Sequence, residues 1–426
     1  METLRSTAPI FACMLAATWA GAATSPTAGE TFDASLVTRG AQLAAIGNCA
    51  SCHTAEGGKP YAGGRPLPSP FGTVYATNIT PDADTGIGKW TEAEFVRALH
   101  EGVDREGRDL YPAFPYDHFT KVSDDDVKAI YAFSMTRDPV RAQNPRNALA
   151  FPASVRASIR AWKALYFRPG RFASDPAQNA QWNRGAYLAE GLAHCGACHT
   201  PRNALGAEKT SDAYGGGEAE QWLAPAMNEA SPAPAPWTAD ELVNYLRNGS
   251  DPRHGIAAGP MVDVVQNLGK VSEDDVRAIA VYFADRMRRS PRQAGGTEDT
   301  KASAELEEAD AVSGMGRDGI GTRGQPTASD GAAIFEGACA TCHYSGSGLQ
   351  AIKPVPLALT TTVNAPDPRN VIRVVQKGLW PKDGERGAMM PGFAAELTDQ
   401  QIEAVVNYVR ERFSREPPWR DVAGQV

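Results

Sequence analysis

Apolar residues recur at helical spacing in three comparable stretches of this chain, each behind a capping residue. Val127, Ile130 and Tyr131 follow Ser123-Asp124-Asp125-Asp126, and Val276, Ile279, Tyr282 and Phe283 follow Ser272-Glu273-Asp274-Asp275. A Ser that accepts a free backbone N–H, followed by a core-facing stripe, predicts a closing helix at both places. Thr398-Asp399-Gln400-Gln401 predicts the third and is a full capping box; the other two carry Asp where the box takes Glu or Gln. A mid-unit helix is expected to open at Trp90-Thr91 and at Trp237-Thr238, with Thr as N-cap, and at Asp367-Pro368, with Pro at the first helical position. Short opening helices are marked by Thr38-Arg39-Gly40-Ala41, Asn183-Arg184-Gly185-Ala186 and Ser329-Asp330-Gly331-Ala332. The chain therefore reads as one all-α unit used three times. Aromatic residues in the closing helices read as core.

Each opening helix leads into the same five-residue pattern. Cys49-Ala50-Ser51-Cys52-His53, Cys195-Gly196-Ala197-Cys198-His199 and Cys339-Ala340-Thr341-Cys342-His343 lie at nearly even intervals and use six of the seven cysteines. Cys-x-x-Cys-His is the attachment signature of c-type haem. Thiols one helical turn apart each form a thioether with a haem vinyl group, and the adjacent imidazole is the proximal iron ligand. Other chemistries fit less well. A closed zinc site needs four ligands, and no unit has a second Cys pair. Redox Cys-x-x-Cys pairs sit in βαβ units, whose strands are missing from the pattern. Disulfides between cysteines three apart would not require the His. Three covalent haems c are expected, on Cys49 and Cys52, Cys195 and Cys198, Cys339 and Cys342, with His53, His199 and His343 on the irons. A unit of about 100 residues buries little surface alone, and a haem supplies the missing apolar core.

The seventh cysteine, Cys13, lies in a leader: Arg5, a mostly apolar run from Ala8 to Ala17, and the small-residue cleavage pattern Ala20-Gly21-Ala22. A lipobox at Cys13 is disfavoured by the bulky Phe11. Residues 1–23 are expected to be removed and the protein to work in the periplasm. Past the leader no apolar run of about 18 residues exists, so a soluble or peripheral protein is expected. The net charge of −8 and pI near 5.5 argue against nucleic acid as a partner. From Arg141 to Arg171 the balance inverts: seven basic residues, no acid, and Val155, Ile159, Trp162 and Tyr166 at helical spacing. Such a helix lies on an anionic membrane, receives an acidic partner, or packs between units with its arginines on haem propionates; the last is the plainer expectation. Residues 291–326 read as an exposed linker.

The whole mature chain resembles the tri-haem cytochrome c subunit of periplasmic, membrane-associated alcohol, gluconate, fructose and aldehyde dehydrogenases. The resemblance rests on the three motifs, their spacing, and the segments Tyr75-Ala76-Thr77-Asn78-Ile79-Thr80, His199-Thr200-Pro201-Arg202-Asn203, Gly259-Pro260-Met261 and Met390-Pro391-Gly392-Phe393. Tyr111-Pro112-Ala113-Phe114-Pro115-Tyr116-Asp117-His118-Phe119 and Met135-Thr136-Arg137 look more like cytochromes that accompany molybdenum hydroxylases of the nicotinate-dehydrogenase type. The resemblance implies cytochrome c-like domains at 33–140, 176–290 and 327–415, with 141–175 as the basic connector. It also implies electron transfer from a separate flavin, quinoprotein or molybdenum subunit to ubiquinone or a terminal oxidase, near the outer face of the cytoplasmic membrane.

In such domains a Met on the loop before the closing helix is the distal ligand. Met261 and Met390 match; Met389 is adjacent but lacks the following Pro, and Met227 is expected at a haem edge beside Ala224-Pro225. The first unit departs from this pattern, with Phe114 at the matching position. His118 on the same loop is the expected ligand, with Met135 or an open position as alternatives. His100, His194 and His254 carry no motif and read as surface or packing residues. An open first haem would instead suit a peroxidase-like enzyme or a sensor.

Overall fold

The computed structural model describes residues 31–288, 330–343, 356–380 and 390–426. The expected leader, the 291–326 linker and Met389 lie outside these residues. The first unit runs α1 (Ala34–Ile46), α2 (Cys49–His53), β1 (Pro66–Ser69), β2 (Gly72–Tyr75), α3 (Glu92–Glu101), α4 (Tyr116–Phe119) and α5 (Asp124–Met135). A short strand β3 (Ala148–Leu149) and α6 (Arg156–Tyr166) form the connector. The second unit repeats the order: α7 (Ala180–Tyr187), α8 (Gly196–His199), β4 (Gly217–Ala219), β5 (Trp222–Ala224), α9 (Ala239–Asn248), β6 (Ser250–Asp251), β7 (Gly255–Ile256), α10 (Met261–Leu268) and α11 (Glu273–Arg288). In the third, α12 (Gly331–Ala338), α13 (Ala340–His343), α14 (Thr361–Asn364), α15 (Arg369–Lys377) and α16 (Asp399–Phe413) are described.

The caps form as the side chains dictate. Asp33 accepts from the backbone of Ser35 and Leu36 at the start of α1, and Ser123 accepts from Asp126 at the start of α5. Thr91 with Glu94, Thr238 with Glu241 and Thr398 with Gln401 are complete capping boxes, each satisfying two otherwise orphaned N–H groups. Pro368 departs from expectation: it is the N-cap, and the helix begins at Arg369.

The opening and closing helices cross at a glycine in every unit. A Cβ on Gly40 would lie 1.9 Å from the Ala129 carbonyl oxygen, on Gly185 1.9 Å from that of Ala278, and on Gly331 2.1 Å from that of Ala404. No side chain fits there, so only glycine lets the two backbones meet. Around the first two crossings a single apolar core runs through both units, from Leu43, Val127 and Ile130 to Leu188, Val276 and Ile279. Phe335, Ile372, Ile402, Val406 and Trp419 form a second core in the third unit.

The all-α expectation needs correcting, because short antiparallel sheets are present. β1, β2 and β3 form one, pairing Leu67 with Val74 and Thr73 with Ala148; β4–β5 and β6–β7 form two more. Their strands are two to four residues long, too short for alternation to register against the helical pattern. Pro66 and Pro68 sit on an outer strand, where the missing N–H costs no ladder bond.

Candidate haem-attachment sites

Each Cys-x-x-Cys-His forms a short helical turn, which puts the two thiols on one face and the His beside them. Asn48 (φ 52°) and His194 (φ 40°) take the left-handed conformation just before the first two turns, breaking the chain away from the opening helix. The six cysteines are free thiols. Burial pushes Cys49 and Cys195 up to about 12, and Cys198 and Cys339 up to about 11. Burial thus disfavours the thiolate form on which redox pairs depend.

The imidazoles are oriented from behind. His53 Nδ1–H donates to the Thr77 carbonyl at 2.7 Å, and His199 Nδ1–H to the Pro225 carbonyl at 2.7 Å. This fixes the tautomer and leaves Nε2 as the lone-pair donor, the usual arrangement of a metal-ligating His. Burial lowers both imidazoles below the ordinary His value, so they are neutral. Burial likewise lowers His343, whose Nδ1 is buried with no partner among the described residues. Two protonated thiols and one aimed neutral imidazole fit a covalent haem c at the first two turns, and the third has the same donor set.

The loop that holds each proximal carbonyl also repeats. Tyr61 and Tyr214 are left-handed (φ 62° and 61°), and their carbonyls accept from Ile79 N at 2.9 Å and Met227 N at 2.8 Å. Met227 is therefore the counterpart of Ile79 and packs on the shared core. The tyrosines escaped the sequence reading, although Tyr61-Ala62-Gly63-Gly64 and Tyr214-Gly215-Gly216 carried the signal.

Distal positions are set by another shared bond. The carbonyl of Gly102, which ends α3, accepts from Leu110 N at 2.8 Å, and that of Gly249, which ends α9, from Ala257 N at 2.7 Å. Phe114 and Met261 each lie four residues beyond that anchor, so Phe114 occupies the position of Met261. Its ring packs on Phe119, centroids 5.2 Å apart. Met390 is held by a two-way backbone pairing with Leu379, both bonds 2.9 Å.

His118 is bonded to the second unit through both ring nitrogens: Nδ1 lies 2.8 Å from the Glu190 carbonyl oxygen and Nε2 2.8 Å from Glu208 Oε1. Burial lowers its basicity, but the Glu208 carboxylate outweighs this and the net shift is upward. In this arrangement it bolts the two units together, its Cε1 3.0 Å from where a Cβ on Gly196 would stand. Met135 is half-buried against the shared core. His100, His194 and His254 are packing residues; His254 stacks on Trp237 at 3.5 Å.

The first attachment turn packs on the second unit, whose α10 carries Asn267 and Asp263. Asn267 donates to Asn48 and to Ser51 Oγ (3.2 Å). Arg65 ties the Ser51 carbonyl (2.9 Å) to Glu220 (2.8 Å) and Asp263 (3.3 Å). The third unit joins through α15: Asn370 donates to the Leu223 carbonyl (2.8 Å) and accepts from Leu223 N (2.9 Å).

The chain matches the cytochrome c family over residues 37–137 and 328–412. It is 41% identical over 399 residues to a nicotinate dehydrogenase subunit of Pseudomonas putida, covering 93% of this chain but only 32% of that protein. The fructose dehydrogenase cytochrome subunit of Gluconobacter japonicus is 36% identical over 392 residues, 88% of this chain and 79% of that one. The alcohol dehydrogenase (quinone) cytochrome c subunit of Gluconobacter oxydans is 36% identical over 406 residues, 91% of this chain and 80% of that one. With that likeness running nearly end to end, and haem-attachment turns built as described, the chain belongs to the family of electron-transferring cytochrome c subunits of dehydrogenases.

Proposed function

We propose that this protein carries three covalent haems c and relays electrons through them, from a separate dehydrogenase subunit to ubiquinone or a terminal oxidase, in the periplasm. The observation that carries this reading is the packing of the units that bear the attachment turns. Asn267 on α10 of the second unit holds the first turn through Asn48 and Ser51, and the third unit is fastened to the second through Asn370. Haem iron supplies the one-electron chemistry; the chain supplies orientation, burial and axial ligands that set each potential. His53 and His199 present neutral Nε2 atoms for the proximal side, and His343 has the same place in the third motif. Met261 and Met390 are assigned to the distal sides, where a thioether favours ferrous iron and raises the potential.

The substrate belongs to the catalytic partner. Similarity to a nicotinate dehydrogenase subunit favours a molybdenum hydroxylase over a flavin or quinoprotein partner. Purifying the native complex and adding the substrate of the co-purifying large subunit tests the relay. Reduction of all three haems is expected; a chain that purifies alone and stays oxidised with every such dehydrogenase refutes it.

A further inference from the structure

The connector presents an exposed apolar and basic face. Five large apolar side chains are exposed among the described residues, and four gather here: Phe151 (83%), Val155 (46%), Leu165 (61%) and, beside them, Leu205 (53%). They are one patch. Trp162 Nε1–H donates to the Leu205 carbonyl at 2.9 Å, Ala150 N donates to the Phe71 carbonyl at 2.9 Å, and the Phe71 ring abuts Gly206.

α6 splits into two faces at this patch. Ile159, Trp162 and Tyr166 turn inward, with Ile159 only 3% exposed. Ala157, Ala161, Ala164, Leu165 and Arg168 turn outward and stand exposed. Several of the basic residues have protein acceptors. Lys163 bonds Asp109 at 2.7 Å, Arg156 donates to the Asp109 carbonyl at 2.6 Å, and Arg171 reaches Asp124 at 2.9 Å. Arg160 is 82% exposed at its side chain and holds Asp109 only at 3.3 Å. Arg168 bonds nothing but the last carbonyls of its own helix among the described residues.

We propose that the outer face of α6 is a peripheral docking site for an anionic lipid leaflet, with Phe151, Leu165 and Leu205 as apolar contacts and Arg160 and Arg168 as phosphate contacts. This goes beyond the relay reading and does not rest on it. Charge selects the occupant. The chain carries a net −8, so an anionic surface repels the rest of the molecule and favours the face of this basic segment, where Asp109 is met by Lys163 and Arg160, which also sets the orientation. An acidic protein surface would satisfy the arginines but would need a matched apolar pocket for Phe151; a leaflet supplies phosphates and hydrocarbon together without one. Among the described residues no helix is long and apolar enough to cross a bilayer, so contact here is in the plane of the interface.

Co-sedimentation of the haem-loaded protein with phosphatidylcholine vesicles, and with vesicles also containing phosphatidylglycerol, tests the site. Binding to the anionic vesicles alone, weakened by salt, is expected. Arg160→Gln with Arg168→Gln should weaken it about thirtyfold, at roughly 1 kcal/mol per basic residue. Phe151→Ser with Leu165→Ser should weaken it about tenfold or more. Both pairs are exposed, so an unchanged haem spectrum and melting temperature will show that they fold. No binding by the wild type, equal binding to both vesicle types, or binding that survives both double substitutions overturns the proposal. So does protection of Phe151 and Leu165 from solvent by the catalytic subunit alone.

Discussion

Phe114 and His118 carry the sharpest consequence at the scale of single residues. His118 is on the expected loop, and both its ring nitrogens bond Glu190 and Glu208 of the second unit. His118→Ala should therefore leave the haem spectra unchanged and instead loosen the joint between units, seen as a lower melting temperature. Loss of a bonded, buried polar side chain, with Glu208 left only its longer contact to Arg202 (3.7 Å), costs about 1–3 kcal/mol. If one haem turns high-spin in this variant, the imidazole was a ligand after all. Phe114→Met should add a Met–iron charge-transfer band, because position 114 is anchored like Met261. Met261→Ala and Met390→Ala should each remove one such band and lower one potential. An unchanged redox titration in either variant would show that its Met does not bind iron.

At the scale of elements, the glycine crossings hold the units together. Gly185→Ala drives a Cβ into the Ala278 carbonyl, which lies 1.9 Å from its ideal position, so α7 and α11 must separate. Thermal unfolding should register at least about 2 kcal/mol of lost stability, the range for overpacked cores. A wild-type melting curve would mean that the crossing is looser than the structure has it. Helices, caps and haem motifs were legible in the sequence because they depend on neighbours three or four residues apart. Gly40, Gly185 and Gly331 stood in view beside each opening helix, yet the contact that requires them is with the distant closing helix. The hairpins were hidden for a related reason: pairs such as Leu67 with Val74 are set by loop closure, not by a long alternating run. For His118, loop position alone favoured iron. Its bonds to Glu190 and Glu208, far along the chain, could not be read from that position.

At the scale of the molecule, two units share one core and the third keeps its own. The even spacing of the motifs announced the repeat but not this grouping, which follows from cross-unit contacts such as Arg65 with Glu220 and Tyr187 with Asp126. The joint to the third unit is mostly polar: Asn370 on the edge of β5, Arg373 with Gln221, and Arg369 with Glu218. Two units are thus fixed against each other by a common core, and the third is fastened through side-chain amides and an ion pair. The relay needs every one of them loaded and able to cycle. Potentiometric titration of the haem-loaded protein, followed at the haem α band, tests this most directly. Three one-electron c-type transitions per chain are the predicted result; fewer than three would contradict the account.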